Sequence, residues 1–161
     1  SQLCKHLRAR RSALFANSPT WDRQVREWFR ATTHDYLHHS LGMDESDIQN
    51  TLYVEGSNPI PSNLRGPRFL GRKAVYPDAA LIDEGRGISL CIELDHGRTP
   101  GRIKNALAKA SFAIVAGAFK QALVLFVVEP EAERGRLEEL SKSDEIVQRY
   151  ASELSTFLYI I

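Results

Sequence analysis

A run of seven consecutive apolar residues, Ala122 to Val128, constrains the fold more than any other feature of this sequence. Alternate residues of a strand point to opposite faces of the sheet, so a strand without any polar side chain is buried on both faces. Pro130 ends the run, because proline cannot donate a ladder hydrogen bond. The run therefore predicts an inner strand of an α/β domain, in which helices cover the sheet.

The other periodicities supply the remaining elements of this domain. Trp21, Val25 and Trp28 recur on one side at about 100° per residue, which predicts an amphipathic helix from Trp21 to about His39. Further predictions are strands at 52–54, 75–82 and 88–94, a long loop at 57–73, a helix at about 102–116, an acidic helix within 131–153 and a strand at 156–161. The turn-rich EGRG segment joins 75–82 and 88–94 as a hairpin. The predicted order is αβββαβ followed by a helix and a strand, with a mixed central sheet flanked by helices.

Length and cysteine content bound the class of protein. A chain of 161 residues suits one domain, 1–161, with a sizeable core. Cys91 lies in an apolar run and predicts a buried thiol, which is typical of a reducing compartment. No apolar stretch reaches the ~20 residues that span a bilayer, and no signal-peptide pattern is present. We therefore expect an intracellular protein, cytoplasmic or nuclear, with no membrane partner; its start at Ser1 and its end within FLYII favour a domain excised from a longer chain.

Charged residues are segregated along the chain, although the formal net charge is only +1. Acids collect at 44–47 and 129–145. Three basic groups contain no acid: Arg98, Arg102, Lys104, Lys109 and Lys120; Arg65, Arg68, Arg72 and Lys73; and Lys5, Arg8, Arg10 and Arg11. Two interpretations stay open, namely ordinary solvated faces and a surface that binds a polyanion.

Three carboxylates stand at the ends of the two hairpin strands. Asp78 follows Pro77 at the start of one strand, and Glu93 and Asp95 close the next. If the strands pair, Asp78 and Glu93 lie close together, and Glu93 and Asp95 point to one face. Acids crowded there would repel each other, and a cation that prefers hard oxygen ligands, Mg²⁺ or Mn²⁺, would relieve the repulsion. The plainer alternative is that Asp78 caps a turn and that the other two acids merely end a strand.

The residues that follow favour a site for phosphate. Arg98, Arg102 and Lys104 lie near the start of the helix predicted after the strand, where backbone N–H groups attract anions. Pro77-Asp78 followed by Glu93-Leu94-Asp95 resembles the signature of the PD-(D/E)XK nuclease superfamily, which includes restriction endonucleases and Holliday-junction resolvases. The resemblance implies a restriction-endonuclease-like core of a helix, three strands, a helix and a strand, which is the order predicted above.

The resemblance also implies a role for each motif residue. Asp78 matches the first metal ligand and Glu93 the second, whereas Asp95 falls where the superfamily usually has a lysine that positions or deprotonates the attacking water. Asp95 would then bind metal, act as a base, or mark a site without catalysis. Some members supply the lysine from the following helix. Lys104, in the first turn and near the strand ends, is the preferred substitute, and Lys109, on the opposite flank of the helix, is the weaker one.

Superfamily members often present a further acid from the first helix. Asp35 and His39 are four residues apart near its apolar face, where they either contribute to the site or form a structural pair. Cap-snatching viral endonucleases, within the same superfamily, use a first-helix histidine as a metal ligand. His34 and His38, also four residues apart, are candidates for that variant.

Together these features predict a metal-dependent endonuclease that hydrolyses phosphodiester bonds of nucleic acid, DNA being favoured over RNA, with Mg²⁺ or Mn²⁺ as cofactor. Catalysis is assigned to Asp78, Glu93, Asp95 and Lys104, metal binding to the three acids, and nucleic-acid binding to Arg65, Arg68, Arg72, Lys73, Arg98 and Arg102. The alternative is a nuclease fold without catalysis that binds nucleic acid or a protein partner. Asp95 at the lysine position supports it. A homodimer, or further domains of a longer chain, completes the expected partners.

Overall fold

The computed structural model describes residues 1–16, 21–56 and 77–161. Within these ranges the elements are α1 (Gln2–Ala9), α2 (Arg11–Leu14), α3 (Trp21–His39), α4 (Glu45–Thr51), β1 (Leu52–Val54), β2 (Ala79–Asp83), β3 (Ile88–His96), α5 (Pro100–Val115), β4 (Gln121–Val127), α6 (Glu131–Lys142), α7 (Glu145–Leu154) and β5 (Thr156–Ile160). The short helices α1, α2 and α4 were not predicted, and the other elements follow the predicted order. The predicted loop at 57–73, with Arg65, Arg68, Arg72 and Lys73, lies outside the described residues.

A five-stranded mixed sheet, in the order β1-β2-β3-β4-β5, forms the middle of the fold. β1, β2 and β3 are antiparallel neighbours, whereas β3, β4 and β5 run parallel. The β2–β3 hairpin closes through a 3₁₀ turn at Glu84–Arg86, after which Gly87 takes a φ of 70°, a conformation that side chains with a Cβ rarely adopt. The apolar run occupies β4, between β3 and β5, and is buried on both faces as predicted.

Helices cover both faces of the sheet and enclose two apolar layers. The layer under α1, α3 and α4 contains Phe29 and Leu125, both fully buried. The layer under α5 and α6 contains Leu107, which is also fully buried. Successive residues of β3 alternate between the layers, since Ile92 joins the first and Cys91 the second. The α/β class with a mixed sheet flanked by helices is therefore confirmed, and odd-numbered residues of β3 face α5.

β2 begins at Ala79 rather than at 75, β3 continues to His96 rather than to 94, and two of the predicted helices also differ from the structure. The acidic helix predicted within 131–153 is two helices, because the Asp144 carboxylate accepts hydrogen bonds from the N–H groups of Ile146 and Val147 and so begins α7. The helix that connects β3 to its parallel neighbour β4, α5, begins at Pro100, whereas the predicted helix began at about 102. Proline suits the first position of a helix, which explains the earlier start. Both helical differences arise at helix starts, where capping decides the boundary.

Both cysteines, Cys4 and Cys91, are free and buried, which confirms the thiol predicted at Cys91. Burial raises the pKa of the Cys91 thiol, with the nearby acids adding to the effect, so this group stays protonated at neutral pH. In the part of the chain that the structure describes, no helix combines the length and the apolar character needed to cross a bilayer.

Candidate functional site

A cavity of about 360 Å³ opens where β3 ends, between α3 and α5. Its lining comes from both helices, from the end of the hairpin and from the turn after β1: Asp22, Val25, Arg26, Glu55, Asp78, Glu93, Leu94, Asp95, His96, Arg102, Ala106 and Lys109. Five of these residues are acids and three are arginine or lysine, so the wall has a formal charge of −2 when its histidine is neutral. An excess of negative charge of this size favours a cation in the cavity.

The antiparallel register of β2 and β3 brings Asp78 and Glu93 together. Ala79 pairs with Ile92, so Asp78, one residue before Ala79, stands opposite Glu93, one residue after Ile92. Asp78 Oδ2 accepts a hydrogen bond of 2.8 Å from the Leu94 N–H, which fixes its carboxylate beside β3. The predicted proximity of the two acids is confirmed, while their chemical roles stay predictions.

Glu93 is a buried acid whose charge its surroundings compensate only in part. Its side chain is 4% exposed, and Oε2 lies 3.3 Å from Lys109 Nζ. Oε1 is buried and accepts no hydrogen bond. Burial, the negative charge of Asp78 and a hydrogen bond between the two carboxyl groups raise the pKa of Glu93 to about 8, although Lys109 opposes the shift. That hydrogen bond needs a proton on one of the two carboxyl groups, so it is lost when both are ionised.

Lys109, on α5, is the cation that contacts the carboxylate pair. Its own burial disfavours its charge, but the attraction of Glu93 and Asp78 outweighs that effect and raises the pKa of Lys109. The ammonium group is therefore charged at neutral pH. Arg102 and Lys109 both line the cavity, because residues seven apart lie on the same side of a helix.

Lys104, the lysine preferred from the sequence, is placed elsewhere. Its Nζ lies 3.0 Å from Asp144 Oδ2 at the start of α7, and the residue does not line the cavity. Two positions beyond Arg102, its side chain leaves the helix about 200° away from the side that faces the acids. The expected placement of Lys104 beside the carboxylates is therefore corrected, and Lys109 takes that position. Arg102 and Lys109 share one flank of α5, but the sequence alone does not indicate that this flank faces the acids.

Asp95 lines the same cavity, but its hydrogen bonds differ from those of the other two acids. Its Oδ1 accepts hydrogen bonds from the His96 N–H at 2.7 Å and from Arg102 Nε at 3.1 Å. Among the described residues, no group of three or more His, Cys, Asp or Glu side chains is arranged to hold a metal ion. The three-acid metal site expected from the sequence stays a prediction, and Asp78 and Glu93 are the two acids that the hairpin register pairs.

The two predicted arginines differ in position. Arg102 lines the cavity, as expected of a residue that binds phosphate there, whereas Arg98 is exposed and is not part of the lining. The Arg98 carbonyl accepts a hydrogen bond from Arg136 of α6, which fixes the backbone between β3 and α5. Only one of the two is therefore placed next to the carboxylates.

The first long helix, α3, contributes residues that the sequence analysis did not select. Asp22 and Arg26 line the cavity opposite α5, and Arg26 forms an ion pair of 3.4 Å with Glu55 after β1. Their spacing of four residues places both on one side of α3, next to Val25. The spacing of Asp22 and Arg26 was visible in the sequence, but the sequence of α3 does not indicate that this side of the helix faces the end of β3.

The acid and histidines that were selected on this helix have structural partners instead. Asp35 pairs with His6 at 3.1 Å and with Arg10 at 3.0 Å, and thus ties α3 to the N-terminal segment. His34 pairs with Glu45, and the imidazole of His38 contacts the Met43 carbonyl at 3.0 Å. His39 lies 3.4 Å from Asp35, in the pair expected from their spacing. None of these α3 side chains lines the cavity.

The raised pKa of Glu93 predicts how stability depends on pH. Between pH 4.5 and about 8 the unfolded chain releases a proton that the folded chain keeps, so the free energy of unfolding falls as pH rises through this window. We expect a fall of about 4 kcal/mol across this window that is missing from Glu93→Gln, because glutamine does not titrate. Urea unfolding of both proteins in a chelator, from about pH 5 to about pH 9, measures the difference. If the free energies of unfolding of the two proteins change with pH in the same way, Glu93 is not protonated in the folded protein.

The cavity thus combines a buried Glu93 and a half-buried Asp78 with a charged lysine and two arginines at one end of the sheet. Such a set can hold a cation between the acids and an anion beside the basic groups. Comparison of the chain with protein-family models, with curated proteins and with solved structures found no match.

Proposed function

We propose that this chain is a metal-dependent nuclease with a restriction-endonuclease-like core, which hydrolyses phosphodiester bonds of nucleic acid, DNA being favoured over RNA. One observation carries the proposal: Glu93 is buried beside Asp78 with Oε1 unpartnered and with Lys109 Nζ 3.3 Å from Oε2. Mg²⁺ is commonly held by one or two carboxylates together with waters and substrate phosphates. The two acids, the unpartnered oxygen and the net negative wall fit such a cation, or Mn²⁺.

The surrounding residues divide the remaining tasks. Asp78 and Glu93 would hold the cation, and a divalent cation beside a phosphodiester lowers the pKa of water and stabilises negative charge. Lys109, held against Glu93, would orient the attacking water and keep a positive charge next to the reacting phosphate. Arg102 and Arg26, on opposite sides of the cavity, would bind backbone phosphates.

Cleavage by the purified protein tests the proposal directly. Labelled single- and double-stranded DNA and RNA are incubated with Mg²⁺ or Mn²⁺, and products are expected with the metal and not in EDTA. Thermal unfolding is an independent readout, because an ion that binds only the folded protein raises Tm. Glu139→Gln, at an exposed acid of α6 far along the chain from the hairpin, is the matched control and should keep both responses. If the protein cuts none of the four substrates, the hydrolytic proposal is wrong.

A nuclease fold that binds nucleic acid without cleaving it is the second candidate. It is favoured by Asp95, which occupies the usual lysine position and whose Oδ1 is held by Arg102. The absence of a lysine at position 95 does not by itself favour an inactive protein, because Lys109 of α5 places a charged lysine beside the same carboxylates. The two candidates differ in experiment, because the second predicts salt-sensitive binding with no cleavage and no rise of Tm on adding metal.

A further inference from the structure

We propose that Asp95 and Gly97 position Arg102 to bind a phosphodiester of the nucleic-acid substrate beside the Asp78–Glu93 pair. The inference rests on the proposed function and deepens it, because it names the residue that holds substrate next to the reacting group. It also gives the acid at the usual lysine position a task other than metal binding. Asp95 and Gly97 are positioning residues in this proposal, and Arg102 is the residue that contacts substrate.

The Asp95 carboxylate is held from two sides. Its Oδ1 accepts hydrogen bonds from the His96 N–H at 2.7 Å and from Arg102 Nε at 3.1 Å. A guanidinium group has five N–H donors in a rigid fork, so a bond through Nε leaves both terminal nitrogens available. In the described ranges, these terminal nitrogens of Arg102 form no hydrogen bond or ion pair. Asp95 therefore orients the fork without occupying it.

Gly97 provides the space through which Arg102 passes. Its φ is 151°, and a Cβ built at this position would lie 2.6 Å from Arg102 Cδ and 3.3 Å from Arg102 Nε. A side chain of any size at position 97 would therefore displace the part of Arg102 that contacts Asp95. Gly101, in the first turn of α5, has no atom within 4 Å of its virtual Cβ, so its neighbourhood imposes no such requirement.

The chemistry of this corner of the cavity selects a phosphate as the ligand. A guanidinium fork matches two oxygens of a phosphate, and bonds between charged partners are stronger than neutral ones. Arg102 shares the cavity wall with Asp78, Glu93 and Lys109, so a phosphate on its fork lies next to the proposed reacting centre. Because the wall as a whole is negative, an anionic strand needs such a positive group to enter.

The direction in which Asp95→Ala changes the affinity for nucleic acid shows whether Asp95 orients Arg102 or only adds a negative charge to the cavity. If Asp95 were only a negative charge in the cavity, Asp95→Ala would strengthen binding of an anionic strand. If Asp95 orients Arg102, the same substitution weakens binding, although it removes a negative charge. Asp95→Asn is the matching variant, because its amide oxygen still accepts the Arg102 Nε–H while the charge is gone.

The experiment measures the dissociation constant of a labelled DNA duplex at several salt concentrations, with Ca²⁺ as the hard cation, and separately kcat and KM for cleavage with Mg²⁺. We expect Arg102→Ala to raise Kd and KM about tenfold or more, to leave kcat within about threefold, and to reduce the salt slope by about 0.9, as for one lost phosphate contact. Arg102→Lys should keep the slope and bind more weakly, because lysine lacks the fork.

Asp95→Ala and Gly97→Ala should each weaken binding about threefold to tenfold. Asp95→Asn keeps the acceptor and loses a negative charge, so it should bind at least as tightly as the natural chain, and Gly101→Ala should bind as the natural chain does. Asp95→Ala is expected to change Tm by about 2 °C or less, because a partly exposed ion pair contributes little to stability. It therefore remains a test even if the strained Gly97→Ala protein does not fold.

Tighter binding by Asp95→Ala, or an unchanged Kd and salt slope in Arg102→Ala, would overturn the inference. The absence of DNA binding by the natural chain would overturn it as well. Binding that depends on Arg102, in a protein that cuts neither DNA nor RNA, single- or double-stranded, with Mg²⁺ or Mn²⁺, would support this inference while removing the proposed hydrolytic function. The two failures are thus distinguishable.

Discussion

Asp78→Asn and Glu93→Gln are each expected to lower metal-dependent cleavage by about a thousandfold or more. Each substitution removes one of the two charges that would hold the cation, so charge stabilisation at the reacting phosphate is lost together with metal affinity. A thousandfold loss corresponds to about 4 kcal/mol in the activation free energy. Single-turnover cleavage at saturating enzyme, over a range of Mg²⁺ concentrations, separates weaker metal binding from slower chemistry.

The same two variants are expected to remain folded and to gain stability without metal. The amide introduced by Asp78→Asn would keep an oxygen for the Leu94 N–H, and either substitution removes the repulsion between two crowded, largely buried charges. At a pH above about 8 we expect the free energy of unfolding to rise by about 1–2 kcal/mol relative to the natural chain. Urea unfolding measures this change. A loss of activity accompanied by a loss of stability would instead indicate unfolding, and cleavage within about tenfold of normal in either variant would contradict the carboxylate pair as the catalytic centre.

Lys109→Met is expected to lower kcat about a hundredfold, whereas Lys104→Met should keep it within about twofold. Methionine preserves the apolar stem of lysine and removes only the charged group, so the two variants form a matched pair on one helix. Lys109 Nζ lies 3.3 Å from Glu93 Oε2, while Lys104 Nζ lies against Asp144, far from the cavity lining. Steady-state cleavage by the two variants decides between the lysines.

The pH dependence of cleavage gives the lysine test a second readout. Lys109 lowers the pKa of Glu93, so its removal should raise that pKa further and shift the rising limb of the pH–rate profile to higher pH. A lysine that mattered only for folding would lower activity without moving this limb. An equal loss of kcat in the two variants would contradict a special role for Lys109. A larger loss in Lys104→Met would assign the role to Lys104, the lysine preferred from the sequence.

The main features of the fold could be predicted because they depend on patterns within short segments. The apolar run of β4 required cover on both faces, and the apolar side of α3 predicted a helix that begins and ends where the structure has it. The tight EGRG turn set the hairpin, so the proximity of Asp78 and Glu93 followed from local pairing. The break between α6 and α7 was missed, because the capping signal of Asp144 was overlooked within an acidic segment.

The rest of the site could not be predicted, because it depends on elements distant in the sequence. Asp22 and Arg26 reach the cavity only because α3 crosses the sheet near the end of β3. The contact of Arg102 with Asp95 requires both the start of α5 and the free space over Gly97. Neither condition leaves a periodic signal, so the first lysine after the strand, Lys104, was an insufficient guide to the lysine of the site.

The amino-acid sequence was enough to predict the α/β class, the order of the five strands and the helices α3 and α5, and the pairing of two acids across a hairpin, but not the short helices α1, α2 and α4. Tertiary packing alone decided which flank of α5 faces those acids. Lys104 and Lys109 border the apolar side of the helix to its left and right, and Ile103 and Leu107 fix only that this side is buried. Whether a given flank then meets β2 and β3 or α7 depends on how the helix lies across the sheet, which no local pattern specifies.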